Sequence, residues 1–511
     1  MANVKRKKKK TIFKFNNFLI LLCFISSFYL GYRIFQLGPI EPVLRFIIIL
    51  VIIAINLFFF YKKGKIKKKK LAIFMMIVFI SSNIGIAFLI GKVYNAIDSI
   101  NKSKIVYSSS LVTLNNSNIK NIDDVTELKI GLLDDSLSID NYIIAKEIID
   151  EHNLDKDNEI EKYDDILNML GDLYHEELDA ILISSNYKVM FSTTEGYENI
   201  GTDLKEIASK DKTVSKNNEV SKKNSSTTKP FTVLLMGVDS EKDGLKKNSY
   251  ANGDALILLT FNPSTFNITM MSIPRDSYLP IACRNNEKNK LTHAGWYGTE
   301  CMMNTIENTF DISIDYYVKV NFKGVVNLVN SLGGVEVDVP FNLCTDNSDR
   351  MGEVCINKGY QTLNGEQALV LARNRYDLAL GDIGRGYNQQ LLIKAMIRKL
   401  TTIRSVDQLL DIIDTVSNNL DTNLTTNEIL SFYNIFKSII SISRTQDSDV
   451  LNIEQIKLQG DGKTVYFKNL KRNLWCYLLR KDSIENASLQ MKINLNLKEA
   501  EMIKEFSFEP W

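Results

Sequence analysis

FTVLLMGVD (Phe231–Asp239), followed by ALILLTFNPSTFNITMMSI (Ala255–Ile273), decides the fold. The first stretch is a short apolar run that closes on an acid, which suits a buried strand. The second contains two apolar runs, Ala255–Phe261 and Phe266–Ile273, separated by Asn-Pro-Ser-Thr. Those four residues are turn formers, so the pair reads as two strands joined by a tight turn. Helical spacing follows at about Glu300–Phe310 and Phe322–Ser331, then a strand at Val335–Val339. Asn364–Ala372 reads as a helix capped by Asn364, and Tyr387–Ile403 as an amphipathic helix. The pattern predicts an α/β domain, a central mixed sheet flanked by helices, over 231–445. No internal repeat is present.

Outward from this domain the chain changes character. It has 511 residues, more than one ordinary core holds. Three apolar stretches lie near the start: Phe15–Phe35, Val43–Tyr61 and Leu71–Ile90. Each is close to the ~20 residues that a membrane-spanning helix needs. Basic runs, Lys5–Lys10 and Lys62–Lys70, flank them. By the positive-inside rule both runs stay in the cytoplasm, so everything after about Lys92 lies outside the cell. The expected organisation is a cytoplasmic N-terminus (1–14), three transmembrane helices (15–92, basic loop 62–70) and an extracellular stalk with a small accessory domain (93–208). A flexible linker (209–230), the main domain (231–445) and a C-terminal extension (446–511) follow. The expected location is the cell membrane, multi-pass, with the main domain extracellular. Formal net charge is only +2, and apolar segments flank the basic runs, so nucleic acid is not an expected partner.

In the accessory region, Leu128–Asp135 and Asp179–Ser184 read as strands, and Asn141–Asn153 and Asp165–Leu178 as amphipathic helices. Strand, helix, strand order predicts a small parallel α/β lobe. It resembles one lobe of a periplasmic solute-binding protein; a spacer or interaction domain is the other reading. Lys92–Asn121 reads as stalk. Ser209–Pro230 is almost free of large apolar residues and reads as linker. Among six cysteines, Cys344 with Cys355 and Cys283 with Cys301 could form disulfides, which export permits, leaving Cys476 over. No Cys-x-x-Cys pair suggests zinc, and three scattered histidines suggest no metal cluster. His293 reads as a core or pocket-wall residue, and Trp296 and Tyr297 as pocket-lining or ordinary core residues.

The candidate site is rich in fixed charge. Asp239 ends a strand and Asp254 immediately precedes another. Two hard carboxylates of this kind suit Mg2+ (or Mn2+) sharing its shell with a phosphate. Arg275 follows a strand in SIPRD. Arg373 and Arg375 are two apart and share a face if extended. Arg385 and Gln389 are four apart and share a helix face. Guanidinium forks match phosphate oxygens two at a time, so the set suits a pyrophosphate.

These motifs resemble, in order, those of the LytR–CpsA–Psr family, from Phe231 to about Leu400: LLMGVDS, NGDALILLTFNPST, SIPRDSYL, KLTHA, DYYVKVNFKG, LVNSLGGVEVDVP, LNGEQALVLARNR and GDIGRGYNQQ. The resemblance implies an α/β sandwich with an apolar pocket for a lipid tail. It implies a membrane-anchored phosphotransferase that moves an anionic glycopolymer, such as teichoic acid or capsule, from a polyprenyl-pyrophosphate carrier to peptidoglycan. Carried over by position, Asp239 and Asp254 hold the metal, with Asp239 also assisting deprotonation of the acceptor. Arg275, Arg373, Arg375 and Arg385 bind the pyrophosphate, Lys290 and Gln389 support it, and Asp382 orients Arg385 or the metal shell. Asp239, Asp254 and Arg275 are the expected catalytic residues.

One position departs. Members commonly carry arginine two residues before the second acid, where this chain has Asn252. Either Lys246 or Lys247 compensates, or turnover is weaker, or the substrate differs. The competing readings are a catalytically weak lipid-pyrophosphate-binding regulator, and a hydrolase with water as acceptor. Arginine at 252 separates the first from an enzyme, because a gain in transfer marks a natively weak transferase.

Overall fold

The computed structural model describes residues 2–36, 42–62, 69–102, 105–136, 138–191, 196–214, 229–238, 252–347, 352–374, 382–403, 406–425, 451–468 and 472–499, with scattered residues at 194 and between 427 and 442. The chain divides into two units: 1–99 with 425–435, and 100–424 with 436–511.

The first unit carries three helices long and apolar enough to cross a membrane: α1 (Ala2–Gln36), α2 (Pro42–Tyr61) and α3 (Lys69–Lys102). Buried polar groups join them. Asn56 Nδ2 donates to Ser27 Oγ at 2.8 Å, and Asn83 Nδ2 donates to the same oxygen at 3.0 Å. In an apolar environment such bonds specify which helix faces meet.

In the second unit, the accessory lobe is a five-stranded sheet of order β3-β2-β4-β1-β5. Its strands are β1 (Ile105–Leu114), β2 (Lys129–Leu133), β3 (Glu159–Tyr163), β4 (Ala180–Ser184) and β5 (Leu204–Val214). A π-helical turn, Ile139–Ile144, runs into α4 (Ala145–His152). Asp165 caps α5 (Ile166–Tyr174), accepting from Leu167 N and Asn168 N. A short helix, α6 (Tyr187–Phe191), follows β4. The expected parallel core is present as β3-β2-β4, but β1 and β5 add antiparallel strands.

Three sequence readings are corrected here. The expected stalk contains the end of α3 and all of β1. Its serines disguise a buried strand: Ser109 Oγ donates to Ile183 O, and Ser110 Oγ meets Ser185 Oγ at 2.6 Å. The first part of the expected linker, Ser209–Val214, belongs to β5 and pairs with β1. An edge strand is held by its backbone ladder and tolerates polar side chains. β3 was missed because Glu-Ile-Glu-Lys-Tyr is mostly exposed and lacks an apolar run.

The main domain has a six-stranded mixed sheet of order β16-β11-β6-β7-β8-β17. β6 (Phe231–Val238), β7 (Ala255–Asn262) and β8 (Asn267–Ser272) form an antiparallel core, the last two as the hairpin the sequence predicts. Short strands β9 (Tyr278–Pro280) and β10 (Lys288–Lys290) pair, and a 3-10 segment, Leu291–Tyr297, leads to α7 (Thr299–Phe310). β11 (Tyr316–Asn321) runs parallel to β6 and is followed by α8 (Phe322–Ser331). Hairpins β12 (Val335–Val339) with β15 (Gly359–Leu363), and β13 (Leu343–Asn347) with β14 (Gly352–Ile356), pack with α9 (Gly365–Arg373), α10 (Asp382–Leu400) and α11 (Val406–Ser417). Asn364 caps α9 as the sequence predicts. β16 (Leu420–Thr422) closes one sheet edge. Cys283–Cys301 and Cys344–Cys355 are disulfides, and Cys476 is a buried free thiol.

The expected C-terminal extension is instead integral to this domain. β17 (Asn452–Ile456) is the other edge strand, parallel to β8. A hairpin, β18 (Gly460–Phe467) with β19 (Arg472–Leu479), and α12 (Lys481–Asn494) complete it. Met491 and Ala487 of α12 enter the core beside Leu234, Leu258 and Met271. A strand added by parallel pairing needs a long crossover, so nothing local in the sequence links β17 to β8. On this face of the sheet Leu234, Met236, Leu256, Leu258 and Tyr317 are almost fully buried. On the opposite face Leu235, Val318 and Val320 stay partly exposed. α10 packs on that face so closely that a Cβ on Gly386 would collide with Ser272 Oγ.

Asn494 ties α12 to the hairpin. Its Nδ2 donates to Thr260 Oγ1 (2.8 Å) and Asn267 O (3.2 Å), and its carbonyl accepts from Asn262 Nδ2 (2.9 Å). Asn494→Ala keeps the main-chain carbonyl that Asn262 bonds but removes the side-chain bonds to Thr260 and Asn267, at a cost of about 1–3 kcal/mol. The expected result is a lower thermal midpoint by circular dichroism, with the membrane helices unaffected; an unchanged midpoint contradicts the integral role of α12.

Candidate functional site

The site forms where the sheet presents the ends of β6, β8, β11 and β17 and the start of β7. β6 stops at Val238, one residue before Asp239. Asp254 N donates to Gly237 O at 3.0 Å, which sets Asp254 beside that exit. Ile273 N donates to Leu256 O at 2.8 Å, so the chain leaving β8 delivers Arg275 to the same place.

Arg275 Nη1 donates to Asp254 Oδ1 at 2.5 Å, with side chains 12% and 13% exposed. Arg385, in the first turn of α10 and 8% exposed, donates from Nη2 to Asp254 O at 3.1 Å. Asp254 therefore receives one guanidinium on its carboxylate and another on its carbonyl. Arg275 Nε lies 3.8 Å from Asp276 Oδ2, and Lys290 Nζ lies 2.9 Å from Asp276 Oδ1. Gln389, one helical turn beyond Arg385, donates from Nε2 to Ala372 O at 3.1 Å. Both residues are buried on one face of α10, as their spacing predicts.

Arg373 lies at the same end of the sheet, its guanidinium 4.4 Å from the ring centroid of Phe322. Phe322 directly follows Asn321, which pairs with Val238. Arg373 is the last residue of α9, so the extended alternation expected for Arg373 and Arg375 does not apply to it. Asp382 begins α10. Asp239, Arg375, Lys246 and Lys247 lie outside the described residues. Two further residues contribute, of which Lys457 escaped the sequence reading. Asp276, next to Arg275, carries Lys290. Lys457, just after β17, stands 5.2 Å from the ring of Tyr387 on α10. Asp276 was legible in the quoted SIPRD, whereas Lys457 sits in a region with no motif.

Asn252 is 4% exposed and fully engaged. Its Nδ2 donates to Met190 O of the lobe at 2.7 Å, and its Oδ1 accepts from Trp296 Nε1 at 2.6 Å. Trp296 is core, between Phe191 of the lobe (centroids 4.9 Å) and His293 (stacked at 3.8 Å). His293 Nδ1 faces Asn289 Oδ1 at 2.6 Å. Burial, with Lys290 and Arg275 nearby, holds the His293 imidazole well below the usual histidine range, so it is neutral. As the neutral ring, it donates from Nδ1 to Asn289.

Chemically, three cations and two carboxylates meet in a half-buried place. Charge-assisted hydrogen bonds are stronger there than in open water. Asp254 also offers a hard carboxylate oxygen beside the exit of β6, the donor chemistry that magnesium takes.

Comparison with known proteins gives the class. The chain belongs to the LytR_cpsA_psr family, whose profile matches residues 196–493. The lobe up to residue 195 precedes the matched region. An uncharacterized protein of Staphylococcus aureus (strain NCTC 8325 / PS 47) is 38% identical over 264 residues, 50% of this chain and 62% of that protein. The polyisoprenyl-teichoic acid–peptidoglycan teichoic acid transferase TagU of Bacillus subtilis (strain 168) is 35% identical over 237 residues, 46% of this chain and 70% of that one. Among solved structures, B. subtilis TagV aligns with a TM-score of 0.44 and 28% identity, covering 53% of this chain and all of that one.

The neutral His293 has a consequence for stability. Its folded-state pKa is depressed, so below the ordinary value near 6.5 the unfolded chain binds a proton that the folded chain does not. Stability from this group is complete above pH 6.5 and falls as pH drops further. Between pH 7 and pH 5 the thermal midpoint of the wild-type chain should fall more than that of His293→Phe, which keeps the stack on Trp296. Equal falls would show that His293 takes up a proton in the folded chain as readily as in the unfolded one.

Proposed function

We propose that this chain transfers an anionic glycopolymer from a polyprenyl-pyrophosphate carrier onto a peptidoglycan hydroxyl. The observation that carries this is the convergence of Arg275 and Arg385 on Asp254, beside Lys290 and Asp276. Membership of the family and a relative named as a polyisoprenyl-teichoic acid–peptidoglycan transferase support it. The partly exposed apolar side chains Leu235, Val318 and Val320 suit a polyprenyl tail lying on that sheet face.

In the reaction an acceptor sugar hydroxyl attacks the polymer-side phosphorus. A new P–O bond forms, the bond to the bridging oxygen breaks, and polyprenyl phosphate leaves with the electron pair. The hydroxyl proton passes to a carboxylate, for which Asp239 is the candidate. Arg275 and Arg385 hold the pyrophosphate oxygens and neutralise the charge that builds on the leaving phosphate. Lys290 and Gln389 support them, Arg373 and Arg375 bind the same anion, and Asp382 orients Arg385 or the metal shell. Asp239 and Asp254 would hold a magnesium or manganese ion, which supplies further charge neutralisation when bound.

The three apolar helices would anchor the chain in the cell membrane, with basic residues 1–14 and 62–70 in the cytoplasm and the second unit outside. Two disulfides in that unit agree with an oxidising compartment.

The test is a product assay on the full chain in detergent, with a short polyprenyl-pyrophosphate saccharide, peptidoglycan oligomers and Mg2+. Wild type should join saccharide to peptidoglycan. Arg275→Ala and Arg385→Ala should each lower transfer about 100-fold or more, the usual effect of removing one preorganised donor. Free saccharide phosphate in place of conjugate would make the chain a hydrolase. Lipid binding without product would make it a regulator.

A further inference from the structure

The lobe grips the two segments that build the Asp254–Arg275 pair. One grip is on the approach to β7. Met190 O accepts from Asn252, two residues before Asp254, and Asp254 N is in turn pinned to Gly237 O. The other is on the 3-10 segment Leu291–Tyr297. Phe191 packs on Trp296, while the lobe's Asp165 lies 3.4 Å from Arg284 Nη2 and accepts from Tyr297 Oη at 3.1 Å. That segment is bonded to the backbone around Arg275: Thr292 N donates to Arg275 O at 2.9 Å and Leu291 N to Ser277 O at 2.8 Å. The Trp296–Asn252 hydrogen bond joins the two routes. Met190, Phe191, Tyr187 and Tyr197 of the lobe share one buried cluster with Trp296, Leu474 and Cys476.

From this we infer that the accessory lobe is a positioning element of the anion site. Met190 and Phe191, acting through Asn252 and Trp296, hold Asp254 and Arg275 in register. Asn252 is then a junction for the lobe rather than a weakened catalytic arginine. Arginine at 252 would carry an unmatched charge into a buried slot and lose both hydrogen bonds. Its expected effect is loss of activity, the reverse of a gain from restoring a missing cation.

The inference rests on the proposed transfer only for its kinetic arm, so two readouts are used on the full chain in detergent. One is kcat and KM in the transfer assay; the other is the Kd for inorganic pyrophosphate. Phe191→Ala, Asn252→Ala and Asn252→Arg should each lower kcat about 10-fold or more, with the smaller part of the loss in KM. Displacements near 1 Å can cost up to about 100-fold. Pyrophosphate binding should weaken in parallel, and Phe191→Leu, which refills the apolar contact, should recover most of both. Ile148→Ala, in the lobe's other core, controls for stability alone. It should lower the thermal midpoint without changing kcat or the pyrophosphate Kd.

A wild type that binds pyrophosphate but makes no product overturns the transfer reading. The inference then stands or falls on whether Phe191→Ala weakens that binding. Wild-type kinetics and binding in Phe191→Ala, a gain in Asn252→Arg, or equal losses in Ile148→Ala would each overturn the positioning role.

Discussion

Arg275 and Asp254 form the contact on which the site depends. Two charges drawn partly out of water attract strongly and also lose hydration, so such a pair adds little net stability. Losing one partner is different, because it leaves a poorly solvated charge behind, at a cost of several kcal/mol. The pair is therefore held by the fold as much as it holds the fold. Arg385 closes on the same residue through its carbonyl. Asp254 thus holds two like-charged guanidiniums on one residue, an arrangement that a bound anion would relieve.

The surrounding structure keeps this place ready. Gly386 lets α10 approach β8, which brings the buried Arg385 to Asp254. His293 stays neutral between Trp296 and Asn289, so it adds no further positive charge to a cluster that already contains Lys290 and Arg275. Gln389 fastens α10 to the end of α9, where Arg373 stands over Phe322. Each is a packing or hydrogen-bond decision whose outcome is the position of a charge.

The lobe belongs to the same system of supports. It meets the main domain through apolar contact at Phe191 and Trp296 and through polar contact at Asp165, Arg284, Tyr297 and Asn252. A buried lysine adds a third region. Burial pushes the Lys319 ammonium down to about 8, against the pull of Asp421 on β16 and Asp140 of the lobe. Polar groups that find partners only when two bodies are docked in one way specify that docking.

Local order along the chain was enough to determine much of this. The apolar runs of β6 and β7, the turn at Asn262–Thr265, the Asn364 cap and the spacing of Arg385 and Gln389 are short-range features, and each is legible without a partner. Asp254 and Arg275 could be marked from their places beside strands and from the family motifs. Their contact with each other, and the carbonyl contact from Arg385, could not. Only the tertiary structure decided that β17 and α12 complete the sheet and its core, that the serine-rich β1 is a buried strand, and that Asn252 serves the lobe. Those outcomes rest on pairing between residues far apart in the chain, such as Ile456 with Met271, Ser109 with Ser184 and Asn252 with Met190. A residue's own chemistry states what it can bond to, and only the folded chain determines what is within reach.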